Sequence, residues 1–418
     1  MKESFYICAN LHIMQTIEIR NIGPLVETGI VPLSQIMLLI GEQSTGKSTF
    51  MKILCFCRWI EKQVMIGGEH VLSKYTHYYR FWNELKKFHR LNDDFLKENS
   101  FIRYDGLAVQ IEMRNKRSNA KITRKQNFTE LKHNLKLSFL PSERNLLSSI
   151  QNVESLYRSK EVDVLFNYIL EWNDARTHFS ASHPLDLVFV DKMKYHYDQK
   201  NGDVLTLADG CSKIKPYYAS SGVQSALPIQ VLATYLADEV GTDAKISPAE
   251  YLKQIEVNDS EDLSKILNAW KSRLGLLRYR SFHMFIEELE QNLFPKAQFE
   301  LVKLLIALLK KTEQKETEYQ STVFLTTHSP YVLTALNVMM LASVANEIAP
   351  EKVTELGLTN YILPKDCYSA YLIKEGRFEN IVDDEYHFIK GEYLDAISEE
   401  VDQYTFDLNT IIYGDTEG

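Results

Sequence analysis

The sequence predicts an α/β fold: a mixed sheet carrying a phosphate-binding loop, interrupted by an inserted helical and β subdomain. Three observations predict it. Gly41–Thr49 reads GEQSTGKST and satisfies the pattern G-x-x-x-x-G-K-[ST], with the apolar run Ile36–Ile40 before it and helically spaced apolar residues over 50–62 after it. A second apolar run, Phe282–Ile286, broken only by His283, leads into Glu287, Glu288 and Glu290. A third, Val323–Thr327, ends at His328-Ser329-Pro330.

Taken in order, Thr16–Asn21 alternates as a strand and Gly23-Pro24 turns it towards the strand that precedes the loop. Residues 63–100 mix aromatics with lysines and read as a helical arm whose aromatics pack internally. Strand patterns follow at Leu107–Met113, Ala120–Thr123 and Leu137–Leu140, then helix with loops over 146–173 and a short strand at Leu187–Val190. A long helix is expected over Val223–Glu239, amphipathic helix over 247–277, and helix over Lys296–Lys311 with an inward leucine stripe, before a charged loop to Gln320. The tail from 371 has a strand pair around Gly376. These patterns divide the chain into 1–62 and 211–345 as the two parts of the nucleotide-binding head, 63–210 as an inserted arm and β/helical region, and 346–418 as a C-terminal extension.

Composition sets outer bounds. The chain has 418 residues, 45% hydrophobic and 25% charged, as in a globular protein, and a formal charge of −9 excludes a surface that is basic overall. One local exception is 114–136, where eight basic residues, beginning with Arg114, Lys116 and Arg117, face Glu130 alone; it is the candidate contact for nucleic acid or an acidic partner, or else a solvated hairpin. Five cysteines, at 8, 55, 57, 211 and 367, form no metal-ligand series and fit a reducing compartment. With no signal-peptide pattern and no run of 18 apolar residues, a cytoplasmic location is expected.

The loop's chemistry follows from its residue types. Gly41 and Gly46 let the backbone curl so that the amides of Gln43, Ser44, Thr45, Gly46, Lys47, Ser48 and Thr49 turn towards phosphates. Lys47 supplies a point charge near the β and γ phosphates, and the Ser48 hydroxyl can ligate Mg²⁺. Ser221 and Gly222, at the start of a helix, make a second anion-binding terminus. Two such termini in one chain make sense if the second serves a nucleotide held by a partner copy.

This order of motifs resembles the ABC-type ATPases of the SMC, RecF and Rad50 group, and most closely the bacterial ATPases related to the OLD family that act in anti-phage defence. TIEIRNIGP at 16–24 resembles the opening strand, SSGVQ at 220–224 is similar to the LSGGQ signature, FIEELEQNLFPKAQ at 285–298 resembles the Walker B strand and its loop, and TTHSPYVL at 326–333 the switch-histidine segment. The resemblance implies an ABC-type P-loop ATPase head that binds ATP and Mg²⁺, with Ser48 and Glu287 at the metal, Glu288 orienting the attacking water, His328 reaching the γ-phosphate, and Ser221 and Gly222 meeting the partner's nucleotide. Glu287 stands where the family usually has Asp; Leu289 and Phe294-Pro295 replace a proline and a His-Pro pair. PSER at 141–144 resembles a segment of OLD-related ATPases and suggests Glu143 or Arg144 near metal or phosphate. No Toprim or H-N-H nuclease pattern is visible, so a nuclease, if one belongs to the system, is a separate protein. The resemblance implies an ATPase that dimerises head to head and controls a partner effector; the alternatives are a RecF-like repair ATPase gripping duplex DNA through 114–136, and a nucleotide-gated scaffold with little turnover.

Overall fold

The computed structural model describes residues 14–67, 69–116, 118–126, 133–149, 163–242, 278–383, 385, 388–391, 404 and 408. The chain opens with β1 (Thr16–Ile22), β2 (Leu25–Glu27), β3 (Val31–Pro32) and β4 (Ile36–Ile40), followed by helices α1 (Lys47–Gly67), α2 (Glu69–Thr76) and α3 (Arg80–His89). Strands β5 (Leu96–Asp105), β6 (Val109–Arg114), β7 (Lys121–Arg124) and β8 (Asn134–Leu140) come next, then α4 (Val164–Arg176) and the short strands β9 (Leu185–Asp186), β10 (Lys194–Asp198), β11 (Gly202–Thr206) and β12 (Lys213–Ile214). Helix α5 (Ser221–Glu239), β13 (Tyr279–Ile286), α6 (Pro295–Lys315), β14 (Thr322–Thr327), α7 (Pro330–Ile348), α8 (Pro350–Glu355), β15 (Tyr368–Lys374) and β16 (Arg377–Asn380) complete the main body, with β17 (Val382–Asp383) and β18 (Phe388–Ile389) as a small pair beyond it.

The class is mixed α/β, as the sequence predicts. A twelve-stranded sheet runs β7-β6-β5-β1-β2-β16-β15-β4-β14-β13-β8, with β3 attached to β1. Strands β15, β4, β14, β13 and β8 are mutually parallel, and the strands from β7 to β2 are antiparallel. The parallel strands are buried on both faces, which is why they read as apolar runs instead of alternating ones. On β4, Ile36, Leu38 and Ile40 enter one core with α5, α6 and α7, while Met37 and Leu39 enter the other with α1 and α3. Helix α7 is long and apolar enough to cross a membrane by length and composition, but Val332, Leu336, Met339 and Met340 are buried in that first core.

Several elements differ from the sequence reading. The helical arm ends at His89 and a strand begins at Leu96; of its aromatics, Tyr75 and Trp82 are buried and Tyr78 and Tyr79 exposed. Leu187–Val190 leads into a turn, with Leu187 packed in the core and its amide donating to the Met193 carbonyl (2.9 Å), and the polar stretch after it is the β10–β11 hairpin. Helix α6 runs on to Lys315, shortening the charged loop. The strand pair around Gly376 is β15–β16, and β15 lies directly beside β4. The central sheet thus takes strands from the head, from the stretch read as an insertion, and from the C-terminal stretch. The helix expected over 247–277 lies outside the described residues.

Candidate functional site

The site forms at the C-terminal ends of β4, β14 and β13, three adjacent parallel strands, each of which hands its chain to a loop at the same edge of the sheet. That edge is where open α/β sheets present ligand sites. After β4, Gly41 and Gly46 adopt φ of +151° and +113°, and Ser44 also takes a positive φ of 64°. The Lys47 ammonium curls back to donate to the carbonyls of Gly41 (2.8 Å) and Glu42 (2.7 Å), and Thr45 Oγ1 donates to the Glu42 carbonyl (2.9 Å). Burial pulls the Lys47 pKa down to about 8, opposed by the nearby carboxylates of Glu288, Glu290 and Glu42.

After β13, Glu287 is buried, and burial holds its carboxyl above the usual carboxylate range, opposed by Lys52, the Ser48 hydroxyl and the Ser142 amide. Its Oε2 accepts from the Ser142 amide (3.2 Å), whereas Oε1 is buried with no hydrogen-bond partner of regular geometry. A buried carboxylate beside a serine hydroxyl, with one oxygen lacking a hydrogen bond of regular geometry, fits a divalent cation. Among the described residues no three His, Cys, Asp or Glu side chains cluster for a metal, so Ser48 and Glu287 would share Mg²⁺ with phosphate oxygens and water, as small hard cations prefer.

Glu288 takes a left-handed φ of +48°, which costs a non-glycine residue about 1–3 kcal/mol and persists only when its surroundings over-determine it. Here they do. The Glu288 amide donates to Thr326 Oγ1 (2.9 Å) and its carbonyl accepts from Arg144 (2.6 Å).

After β14, the half-buried His328 has its pKa lowered by burial and by Lys47, opposed by Glu290, Glu288 and a hydrogen bond with the Gly41 carbonyl. Ser329 caps α7, accepting from the Tyr331 amide (3.2 Å) and donating to Gln298 Oε1 (2.6 Å). Glu290 ties this segment to the preceding one: its Oε2 accepts from Thr327 Oγ1 (2.7 Å) and its Oε1 from the His328 amide (2.6 Å). The sequence reading assigned Glu290 no task, although a third acid two residues beyond Glu288 was the available signal.

Lys47, Ser48, Glu287, Glu288 and His328 are therefore brought together. Ser221 and Gly222 open α5 on the other side of the loop after β13; Ser221 is exposed, and Gly222 abuts the Asn292 carbonyl. Of the PSER pair, Glu143 is exposed and adds charge near Glu287, while Arg144 is fully buried and faces backbone carbonyls, not the phosphate loop. Nor is the basic stretch 114–136 a single face. Arg114 pairs with Glu112 and Lys125 with Asp105, while Lys136 turns inward to the Tyr235 hydroxyl (3.0 Å) and Glu239 (3.6 Å); Arg117 and Lys132 lie outside the described residues.

No family model and no curated protein matches the chain. Solved structures that resemble it include the SMC head domain from Thermotoga maritima, at 8% identity and a TM-score of 0.37 over 88% of this chain and 98% of that one. An SMC head with an extended coiled coil, bound to the C-terminal domain of ScpA from Pyrococcus furiosus, resembles it at 8% identity and 0.41, over 93% and 100%. The recombination mediator RecF with ATPrS does so at 9% and 0.35, over 88% and 98%. These likenesses are remote, and the roles assigned below rest on the geometry of this chain.

Proposed function

We propose that this chain is an ATPase of ABC type that binds ATP and Mg²⁺ and closes head to head with a second copy. One observation carries the reading: Lys47 with Ser48, the Glu287–Glu288 pair and His328 leave three adjacent parallel strands at one sheet edge. In this arrangement the loop amides and Lys47 would hold the triphosphate, and Ser48 with Glu287 would hold Mg²⁺, whose chemistry when bound is to neutralise phosphate charge. Glu288 orients and polarises the attacking water, and His328 meets the γ-phosphate from the other side.

Closure has its own support. The signature start and the segments after Glu288 and His328 carry Tyr217, Tyr218, Phe294 and Tyr331, which are 43%, 67%, 78% and 53% exposed. Large aromatic side chains left in water on the loops of one site favour a surface that becomes covered. Ser221 and Gly222 would then meet the nucleotide of the second copy. Control of a separate effector in anti-phage defence extends the same reading and rests on the resemblance of motif order alone. A duplex-binding role through 114–136 is less favoured, because Arg114 and Lys125 are already matched by acids.

The test is phosphate release by Glu288→Gln, which keeps size and hydrogen bonding but removes the charge. Turnover should fall on the order of 10²-fold or more while ATP still binds, whereas the control Lys47→Ala should lose ATP binding. Near-wild-type turnover in Glu288→Gln would mean that the catalytic carboxylate lies elsewhere.

A further inference from the structure

Arg144 belongs to none of the roles above, yet its surroundings are unusual. It sits in the helical turn Ser142–Asn145 just after β8 and is fully buried. Nη1 donates to the carbonyl of Glu287 (2.5 Å), Nη2 to that of Glu288 (2.6 Å), and Nε to that of Ser225 in the first turns of α5 (3.1 Å). The buried Tyr168 hydroxyl, from α4, donates to the Arg144 carbonyl (3.0 Å) and anchors the turn. A guanidinium presents its donors in a fixed planar fork, so the three carbonyls it binds hold a fixed relation to one another. Two of them are the peptide groups that aim the carboxylates assigned to metal and water, and the third belongs to the helix that begins with Ser221 and Gly222.

A second tie runs parallel to the first. Asn292 Nδ2, on the loop after Glu288, donates to Ser225 Oγ (3.0 Å), and a Cβ added to Gly222 would lie 2.9 Å from the Asn292 carbonyl oxygen. Helix α5 and the loop after β13 are thus in close contact at Gly222 and joined by hydrogen bonds at Ser225. A shift of the start of α5 would either break these bonds or move the Arg144 fork and the Glu287 and Glu288 peptides with it.

We propose that Arg144 is a positioning residue that couples the start of α5 to the carboxylate pair at the end of β13, so that engagement of Ser221 and Gly222 on a nucleotide sets the aim of Glu287 and Glu288. This rests on the ATPase reading. It assigns Arg144 no contact with phosphate: its loss changes how fast bound ATP is cleaved and leaves how tightly ATP is held unchanged.

The test is Arg144→Lys, which keeps the charge but has no planar fork to span three carbonyls, compared with Asn292→Gly. The latter removes the parallel tie at a residue whose φ of +60° suits glycine, so it keeps the coupling testable if Arg144→Lys does not fold. Turnover, KM and the urea unfolding midpoint are measured on the full chain beside Glu288→Gln. A folded Arg144→Lys should lose at least tenfold in kcat with KM within about threefold, and Asn292→Gly should show the same split to a smaller degree. If Glu288→Gln loses turnover while both tie variants, folded, keep wild-type kcat, the coupling is overturned and the ATPase reading stands. If kcat and KM fail together in proportion to a lowered unfolding midpoint, Arg144 is only a structural residue and the proposal is overturned. A wild-type protein without turnover, or a fully active Glu288→Gln, overturns both.

Discussion

Gly46 is the residue at which the first strands press on the phosphate loop. Its φ is +113°, and a Cβ there would lie 2.5 Å from Leu25 Cδ2, 2.9 Å from Leu25 Cγ and 3.4 Å from Pro24 Cγ. Gly46→Ala therefore carries two costs. Forcing an L-residue into positive φ costs about 1–2 kcal/mol, and driving a methyl into the buried Leu25 costs about 1–3 kcal/mol more, so unfolding free energy should drop by about 2–5 kcal/mol. The two parts separate in a double-mutant cycle. Leu25→Ala alone should cost about 2–5 kcal/mol as a cavity, but in the double variant the new methyl enters the space the leucine has left. The clash is then relieved, so the double variant should cost the backbone strain plus the leucine cavity, about 3–7 kcal/mol, giving a favourable interaction of about 1–3 kcal/mol between the two sites. Urea unfolding of the four proteins measures the cycle, and calorimetric titration with ATP should show weak binding by both proteins that carry Gly46→Ala, because the strained loop no longer aims its amides. Additivity within about 0.5 kcal/mol would refute the contact between the β2 side chain and the loop, and a neutral Gly46→Ala would refute the loop geometry itself.

Two further outcomes follow from the site. Glu287→Gln, which neutralises the buried carboxyl whose Oε1 lacks a hydrogen bond of regular geometry, should raise the Mg²⁺ concentration for half-maximal ATP binding at least tenfold while leaving metal-free nucleotide affinity near wild type; a titration of Mg²⁺ at fixed ATP decides it, and an unchanged midpoint would remove Glu287 from the metal. Ser221→Arg places a bulky cation at the exposed start of α5 and should abolish ATP-dependent self-association while each copy still binds ATP; light scattering showing normal closure would count against a role for this helix at a second nucleotide.

Much of this was legible because it is local. The strand, loop and helix around Lys47 sit within 36–67, and the strands carrying Glu287 and His328 are buried on both faces, so they stand out as apolar runs. What could not be read depends on distant pairing or on two features competing over one stretch. Nothing near Tyr368 says that β15 should lie against β4, more than 300 residues earlier. In 187–206 the apolar Leu187–Val190 suggests the strand, yet the strands form on either side of residues 199–201, with Gly202 at φ +75° opening the second, a hairpin signal, and with Tyr195 facing Leu205 across the ladder and both fully buried. Lys136 counts with a basic surface in the sequence because its charge is visible there, while the strand pattern shows only from Leu137 and the strand itself begins at Asn134. In the fold its ammonium lies 4.6 and 4.7 Å from the ring centroids of Tyr235 and Tyr279 and pairs with Glu239, so its charge is used inside the core.

The adjacent carboxylates show why sequence spacing alone could not give the site. Side chains alternate along a strand, and on β13 Phe282, Met284 and Ile286 enter the core with α5, α6 and α7 while Phe285 enters the core with α1. Glu287 continues that second series and meets Ser48 at the start of α1. An extended Glu288 would point the opposite way, into the first core and away from the phosphate loop. The left-handed turn at φ +48° breaks the alternation and brings its charge close enough to act on Lys47 and His328. Two neighbouring acids can thus serve one ligand only because the backbone between them leaves the strand geometry. Thr326 and Arg144 hold the Glu288 peptide from its two sides and so fix this turn, although neither is among the residues assigned to the ligand.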